Sequence, residues 1–186
     1  MSSTSKFLQG QLLLDGGELR GSWFHRTVLL VCQHDENGAF GLVLNRSSGA
    51  KVAEAIVADL PNLLKELPLF VGGPVQPSAL SFLHTDTFLP EGTVLPNLAL
   101  GHSLDDLVEL GDSFSPTRMV RLFAGYAGWS AGQLESEMRR NAWLTHPASL
   151  ELIFHPEPEH LWKLILGQKG WKQRLSAEGP DDPSAN

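Results

Sequence analysis

The chain has little cysteine and no long apolar run. Cys32 is its single cysteine, which excludes an internal disulfide and is typical of a reducing compartment. No apolar stretch approaches the ~20 residues of a membrane span, and residues 1–6 lack the apolar core of a secretion signal. We therefore expect a cytoplasmic protein that does not enter a membrane. Cys32 ends an apolar run that begins at Val28, so we expect its thiol in the core.

Basic residues are also scarce. Fourteen Lys and Arg residues stand against twenty-one Asp and Glu residues, which gives a net charge of -7. Sequence-independent DNA binding needs clustered basic residues that displace counterions, so direct DNA binding is the least favoured function. Four arginines are near each other in sequence, and we interpret them as solvated surface charges because no groove-reading motif accompanies them: Arg118, Arg121, Arg139 and Arg140.

The common catalytic motifs are missing. The sequence has no Walker loop, no G-x-G-x-x-G, no G-x-S-x-G and no H-E-x-x-H. Its seven histidines are scattered, and none is spaced to place two metal ligands on one helix face. We expect neither a metal site nor a cofactor, and no catalytic residue can be assigned.

The length of the chain allows one ordinary domain. Its 186 residues can bury a core without covalent staples. We expect a single domain over residues 1–175, followed by a loose polar tail over residues 176–186 that is rich in Pro, Gly and Asp. Strands and helices are mixed without a βαβ rhythm, which favours an antiparallel α+β fold.

The clearest local signal is a hairpin. Two apolar runs, 27–33 and 39–45, flank the turn dipeptide Asn37-Gly38, which predicts two antiparallel strands. Apolar patterns also predict short strands at residues 11–14, 69–71, 80–84, 93–100, 118–124 and 150–154. Helical patterns cover residues 52–67 with an interruption at Pro61, then 103–110, 130–141 and 158–167.

A glycine-rich segment at residues 125–132 precedes one of these helices. Ser130 and Gln133 have capping-box spacing, which predicts a helix that begins at Ser130. Glycines before a helix can expose amide groups, and these amides with the helix dipole suit a phosphate or carboxylate. The alternative is that Gly128 and Gly132 only allow tight packing while Trp129 anchors the core. The sequence leaves both interpretations open.

Two arginines mark a second candidate site. Arg26 opens the first hairpin strand and Arg46 follows the second, so antiparallel pairing should bring Arg26, Asn45 and Arg46 together at one rim. Gly72-Gly73-Pro74 follows a strand and allows either a close approach by a ligand or backbone or a simple turn. The candidate ligand-binding residues are therefore Arg26, Asn45, Arg46, Gly72, Gly73, Gly125, Gly128, Ser130 and Gln133.

Several of these segments together resemble the YqgE/AlgH family of bacterial proteins. The match consists of FHRTV at 24–28, GAFGLVLNR at 38–46, FVGGPV at 70–75 and GYAGWSAGQLE at 125–135, with further matches at 83–84, 141–144, 152–154 and Trp162. In order and spacing the segments cover residues 9–171. Three places depart from the family pattern: Asp15-Gly16-Gly17, Ser47 and His155.

The resemblance implies an α+β fold in which bent antiparallel sheets form a barrel-like body flanked by helices. It implies no known reaction, and the family's label as a transcriptional regulator comes without a visible helix-turn-helix. We therefore expect a non-enzymatic cytoplasmic binding or regulatory protein that takes a small anion or a protein partner, with indirect transcriptional regulation as one role. The alternative is an enzyme acting on a phosphorylated or nucleic-acid substrate through His25, His34 or His84, since imidazole titrates near neutral pH.

Overall fold

The computed structural model describes residues 7–86, 92–113 and 119–170. The predicted tail at 176–186 and Arg118 lie outside these ranges. The described residues form ten strands: β1 (Gln11–Asp15), β2 (Val28–Asp35), β3 (Gly38–Val43), β4 (Ser47–Lys51), β5 (Pro68–Val71), β6 (Val75–His84), β7 (Thr93–Leu95), β8 (Leu98–Gly101), β9 (Val120–Ser130) and β10 (Trp143–Pro147). Their short helices are α1 (Val52–Ala55), α2 (Asn62–Lys65), α3 (Leu104–Asp112), α4 (Gln133–Arg139), α5 (Leu150–Ile153) and α6 (Leu161–Lys169), with a 3₁₀ turn at Pro158–His160.

The predicted hairpin is confirmed, and the sheet grows from it. β2 and β3 pair antiparallel, with Asp35 opposite Gly38. The strand order is β10-β1-β2-β3-β9-β6-β8-β7, while β5 joins β9 in parallel and β4 pairs with β5. The other pairings are antiparallel, and the sheet curls strongly into a half-barrel flanked by helices. The α+β expectation is thus confirmed.

β9 is the strand on which the half-barrel bends. Its first part pairs with β5 and β6, and its last part pairs with β3. Gly125 lies between these parts with a φ of 73°, a conformation that glycine adopts without a steric penalty. The Gly72-Gly73 pair crosses directly over this bend, where a Cβ on Gly73 would overlap the backbone of Tyr126. The paired glycines therefore allow close approach by another part of the backbone.

The core has three clusters, each covered by helices. The largest packs strands of the sheet against α5 and α6, and Trp162 belongs to it. A second joins Trp129 and Trp143 to Leu134 of α4, and a third lies beneath α1, α2 and α3. Cys32 is buried in the first cluster as predicted, and burial raises the pKa of its thiol. A protonated, enclosed thiol is a core residue, not a nucleophile.

Three predictions of secondary structure were wrong, and two strands were not predicted. Residues 125–130 are strand, not loop, and α4 begins at Gln133 because Gly132 takes a left-handed φ of 74° that ends β9. The single strand predicted over residues 93–100 is divided into β7 and β8 by Asn97, whose φ is 64°. The strand predicted over residues 150–154 is instead helix α5 (Leu150–Ile153), with the Ser149 hydroxyl accepting from the Leu152 amide. The two strands without a prediction are β4 and β10.

A contact from Arg121 stabilises α5, which was predicted as a strand. Its Nη1 donates to the Ile153 carbonyl at 2.7 Å and its Nη2 to the His155 carbonyl at 3.0 Å, so this arginine binds the C-terminal end of the helix. Its guanidinium also lies 4.5 Å from the ring centroid of Phe70, and burial lowers its pKa to about 10. Arg121 is therefore a partly buried structural residue, which corrects its interpretation as a solvated surface charge.

Candidate functional site

The outer ends of the hairpin form a polar rim, as the strand pairing predicted. The Val28 amide donates to Asn45 Oδ1 at 2.8 Å, and Asn45 Nδ2 donates to the Arg26 carbonyl at 2.9 Å. Arg46 Nη2 donates to the His25 carbonyl at 3.3 Å. The structure thus brings Arg26, Asn45 and Arg46 together. We call His25, Arg26, Asn45 and Arg46 the arginine rim.

Asp15 organises this rim from below. Its side chain is fully buried, and Oδ1 accepts from the amides of Gly17 at 2.8 Å and Leu19 at 3.1 Å. Oδ2 accepts from the Arg26 amide at 2.7 Å. Oδ2 also lies 3.3 Å from His25 Nδ1, a distance at which the two groups attract although they lack hydrogen-bond alignment. The sequence analysis missed this role, although an aspartate before two glycines is typical of a side chain that binds the following backbone.

Two tryptophans hold the guanidinium groups of the rim. Arg26 has a φ of 55°, a left-handed conformation that is uncommon outside glycine, and Asp15 and Asn45 bind its amide and carbonyl. Its guanidinium lies 5.0 Å from the ring centroid of Trp162. The guanidinium of Arg46 lies 4.1 Å from that of Trp23. Stacking on an indole ring fixes the plane of a guanidinium, and at Arg46 it leaves the edges of the group available for hydrogen bonds.

Arg46 carries a charge that its surroundings do not neutralise. Within the described residues no carboxylate pairs with it, and its one hydrogen bond goes to a backbone carbonyl. Burial lowers its pKa, as expected for a cation partly removed from water. Since a guanidinium has five N–H donors, Arg46 retains capacity for an external acceptor.

The structure places most of the glycine-rich segment in strand β9 and not in a loop before a helix. Gly125, Gly128 and Ser130 belong to β9, with Gly128 opposite Phe40 and Ser130 opposite Gly38. The Ser130 amide donates to Gln133 Oε1 at 3.1 Å, so it does not face a ligand. The Gly72 amide is likewise bound, to the Ala124 carbonyl at 2.9 Å, and Gly73 packs on the Tyr126 backbone.

Gly128 and Gln133 instead line a cavity of about 330 Å³. Residues 18–24, the end of β9, α4 and the start of β10 surround it. Glu137 of α4 is its most constrained polar group, because Oε2 accepts from both Trp129 Nε1 and Trp143 Nε1 at 2.9 Å. The lining residues are Glu18, Leu19, Ser22, Phe24, Gly128, Trp129, Gln133, Glu137, Arg140, Ala142 and Trp143.

The three candidate histidines differ in access to solvent. His34 is buried, its Nδ1 accepts from the Leu8 amide at 2.9 Å, and its Nε2 lies 3.3 Å from Glu135 Oε1. His84 is also buried, its Nδ1 accepts from the Asp86 amide at 3.2 Å, and burial lowers its pKa. The His25 side chain is 27% exposed and lies next to a carboxylate. Among these three, His25 alone has the access that proton transfer to a substrate requires.

The fold and the order of its segments match proteins that are already known. A family model described as AlgH-like matches residues 12–174. The chain belongs to the AlgH-like family. A UPF0301 protein of Chlorobium luteolum is 38% identical over 181 residues, which cover 95% of this AlgH-like chain and 94% of the relative. A UPF0301 protein of Chlamydia pneumoniae is 35% identical over 176 residues, covering 94% and 93%.

Solved structures agree with this assignment. The solution structure of the AlgH protein from Pseudomonas aeruginosa matches this AlgH-like chain with a TM-score of 0.75 and 31% identity, covering 98% of this chain and 99% of that protein. The crystal structure of a Corynebacterium diphtheriae protein has a TM-score of 0.73 at 22% identity, covering 92% of each chain, and shows the fold alone. The YqgE/AlgH resemblance is confirmed. In the part of the chain that the structure describes, no helix is long and apolar enough to cross a membrane.

Proposed function

We propose that this AlgH-like chain is a cytoplasmic binding protein with a regulatory role, and that its arginine rim holds a small anionic group, a phosphate or a carboxylate. The observation that carries the proposal is Arg46. This partly buried guanidinium is stacked on Trp23 and has no carboxylate partner among the residues described. A charge left in that condition is stabilised when an anion from solution binds it.

The charges around Arg46 support an anion over a cation. Arg26 adds a second guanidinium to the rim, and His25, whose carbonyl accepts from Arg46 Nη2, directly precedes Arg26 in the chain. The carboxylate of the rim is Asp15, whose oxygens already accept three amide hydrogen bonds and face His25. An arriving anion therefore meets the Arg46 guanidinium, which stacks on Trp23, while the Asp15 carboxylate is buried.

We propose that the regulatory role is exerted through binding to a protein partner and not to DNA. The net charge of -7 opposes binding to the phosphates of a DNA surface. The similarity to the AlgH protein of Pseudomonas aeruginosa identifies no ligand. Trp23, on which Arg46 stacks, belongs to the loop over residues 16–26, so an anion bound at Arg46 would lie next to this loop.

Arg46→Gln should weaken phosphate binding at least tenfold. The substitution removes a charge-assisted hydrogen bond, which contributes about 1.5–3 kcal/mol. Isothermal titration calorimetry with inorganic phosphate at low ionic strength measures the effect, and nucleotides and small carboxylic acids extend it. Arg20→Gln is the matched control, because Arg20 is exposed in the same loop and its loss changes the net charge equally. Equal weakening in both variants, or no phosphate binding by the wild type, contradicts the proposal.

A second candidate function is an enzyme acting on a phosphorylated or nucleic-acid substrate. The observation that favours it is the position of His25, whose side chain is 27% exposed and whose Nδ1 lies 3.3 Å from Oδ2 of buried Asp15.

For this candidate, a phosphomonoester or a single-stranded oligonucleotide should be hydrolysed by the wild type. His25→Gln should remove the activity, and His160→Gln, at an exposed position, should keep it. The measurement is steady-state turnover across neutral pH. If the wild type hydrolyses neither substrate, or if both variants hydrolyse them at the same rate, His25 is not a catalytic residue.

A further inference from the structure

The cavity beside α4 has the chemistry of a cation site. We propose that it binds a small organic ammonium ion with an apolar or aromatic body, as a site distinct from the arginine rim. Its volume of about 330 Å³ lies at the lower end of small-molecule pockets, which span about 300–1,000 Å³. A ligand with one ring and a short amine chain is of suitable size.

Glu137 supplies the charge. Its carboxylate is held by three neutral donors, the indole N–H groups of Trp129 and Trp143 at 2.9 Å and Gln133 Nε2 at 3.1 Å. Neutral donors orient a carboxylate without cancelling its charge. No lysine, arginine or histidine pairs with Glu137 within residues 7–86, 92–113 and 119–170. The cavity therefore has a fixed negative charge without a counter-ion from those residues.

The aromatic lining favours an organic cation over a hydrated metal ion. Trp129 and Trp143 pack edge to face with centroids 6.4 Å apart, and Phe24 packs edge to face on Trp143 at 5.6 Å. All three rings line the cavity, as does Leu19. Indole faces attract ammonium groups through their quadrupole, and the surrounding apolar surface accommodates the carbon body of an amine.

The charge balance of the lining also favours a cation. Glu18 and Glu137 are its two carboxylates, against one arginine, Arg140. Arg140 is exposed just after α4, and its Nε donates to the Ser136 carbonyl at 3.4 Å. A carboxylate ligand would therefore meet two negative groups and one solvated positive group.

A series of three ligands with the same phenylethyl skeleton tests the proposal on the wild-type protein. These are 2-phenylethylamine, the neutral 2-phenylethanol and the anionic phenylacetate, each titrated by calorimetry. We expect the amine to bind at least tenfold more tightly than the alcohol and the acid not to bind at this site. Equal affinities for amine and alcohol, or tighter binding of the acid, would overturn the proposal without any variant being needed.

Glu137→Gln then locates the site. Glutamine retains a carbonyl oxygen to accept from the two indoles but removes the charge, so amine affinity should fall at least tenfold while phosphate affinity at the rim stays unchanged. Glu151→Gln, an equal charge change at an exposed position of α5, should leave both affinities unaltered. If Glu137→Gln binds the amine as tightly as the wild type, and thermal unfolding shows an intact fold, this cavity is not the amine-binding site. Because phosphate and amine report separately, the two proposals can fail independently.

Discussion

Replacing Asp15 with alanine should destabilise the protein by about 3–5 kcal/mol, the range for removing one partner from a buried charged cluster. The carboxylate is fully buried and accepts from the amides of Gly17, Leu19 and Arg26. Deleting it leaves those donors without their acceptor, and each loss costs about 1–3 kcal/mol where water cannot enter. Urea denaturation followed by circular dichroism measures the free energy of unfolding.

Asp35→Ala is the matched control for this experiment. Asp35 Oδ1 also accepts a backbone amide, that of Asn37 at 2.7 Å, but it does so on an exposed turn. Its loss should cost about 0.5–1.5 kcal/mol. If the two alanine variants unfold with free energies within about 1 kcal/mol of each other, Asp15 does not organise the rim. We also expect Asp15→Ala to lose phosphate binding, because Arg26 would no longer be held in its left-handed conformation.

The arginine rim was predictable because its two determinants are local. Asn37-Gly38 sets the turn of the hairpin, and the turn sets which strand ends meet. The proximity of Arg26, Asn45 and Arg46 therefore follows from strand pairing alone. The role of Asp15 does not follow from strand pairing. The amides that its carboxylate binds are set by the conformation of a loop, and the sequence of that loop has no periodic pattern. The family resemblance marked that segment only as a departure.

Other features depend on contacts between distant residues. Residues 150–154 have the apolar composition of a strand, and the helix that forms there is bound at its end by Arg121, which lies 32 residues away from Ile153. Glycines are depleted in strands, yet β9 continues through Gly125 and Gly128 because a second chain segment crosses at that point. Such packing overrides local preference.

The cavity beside α4 was hidden for a related reason. Its carboxylate, Glu137, acquires significance only when Trp129 of β9 and Trp143 of β10 converge on it. Since β10 was not predicted, the sequence analysis had no basis for bringing the second indole to α4. Trp129 lies in the core, as one of the two interpretations of its segment had it, while Gly128 and Gln133 were singled out as parts of a loop and instead line this cavity from β9 and α4.

The two candidate sites share one loop. Trp23 lies under the guanidinium of Arg46 at the rim, while Phe24 lines the cavity and packs on Trp143. The two neighbouring rings contact each other edge to face, with centroids 5.1 Å apart. A continuous row of aromatic side chains, Trp23, Phe24 and Trp143, thus joins the surroundings of Arg46 to the cavity beside α4.

Gly73→Ala should prevent folding or cost more than about 4 kcal/mol. A Cβ at this position would overlap the carbonyl group of Tyr126 and the amide nitrogen of Ala127. These are backbone atoms of β9, which is paired on both sides by other strands, so neither segment can rotate out of the way. Soluble yield, far-ultraviolet circular dichroism and urea denaturation measure the loss.

Gly167→Ala is the control that separates this clash from the general effect of replacing a glycine. Gly167 lies inside α6 with open space around the added Cβ, so alanine there should stabilise the protein by about 0.5–1 kcal/mol through its better helix propensity. We expect the free energy of unfolding to fall in Gly73→Ala and to rise in Gly167→Ala. A Gly73→Ala protein that unfolds near the wild-type urea concentration would show that the crossing over β9 is looser than its geometry requires, and the bend that positions β9 between its two sets of neighbours would need another cause.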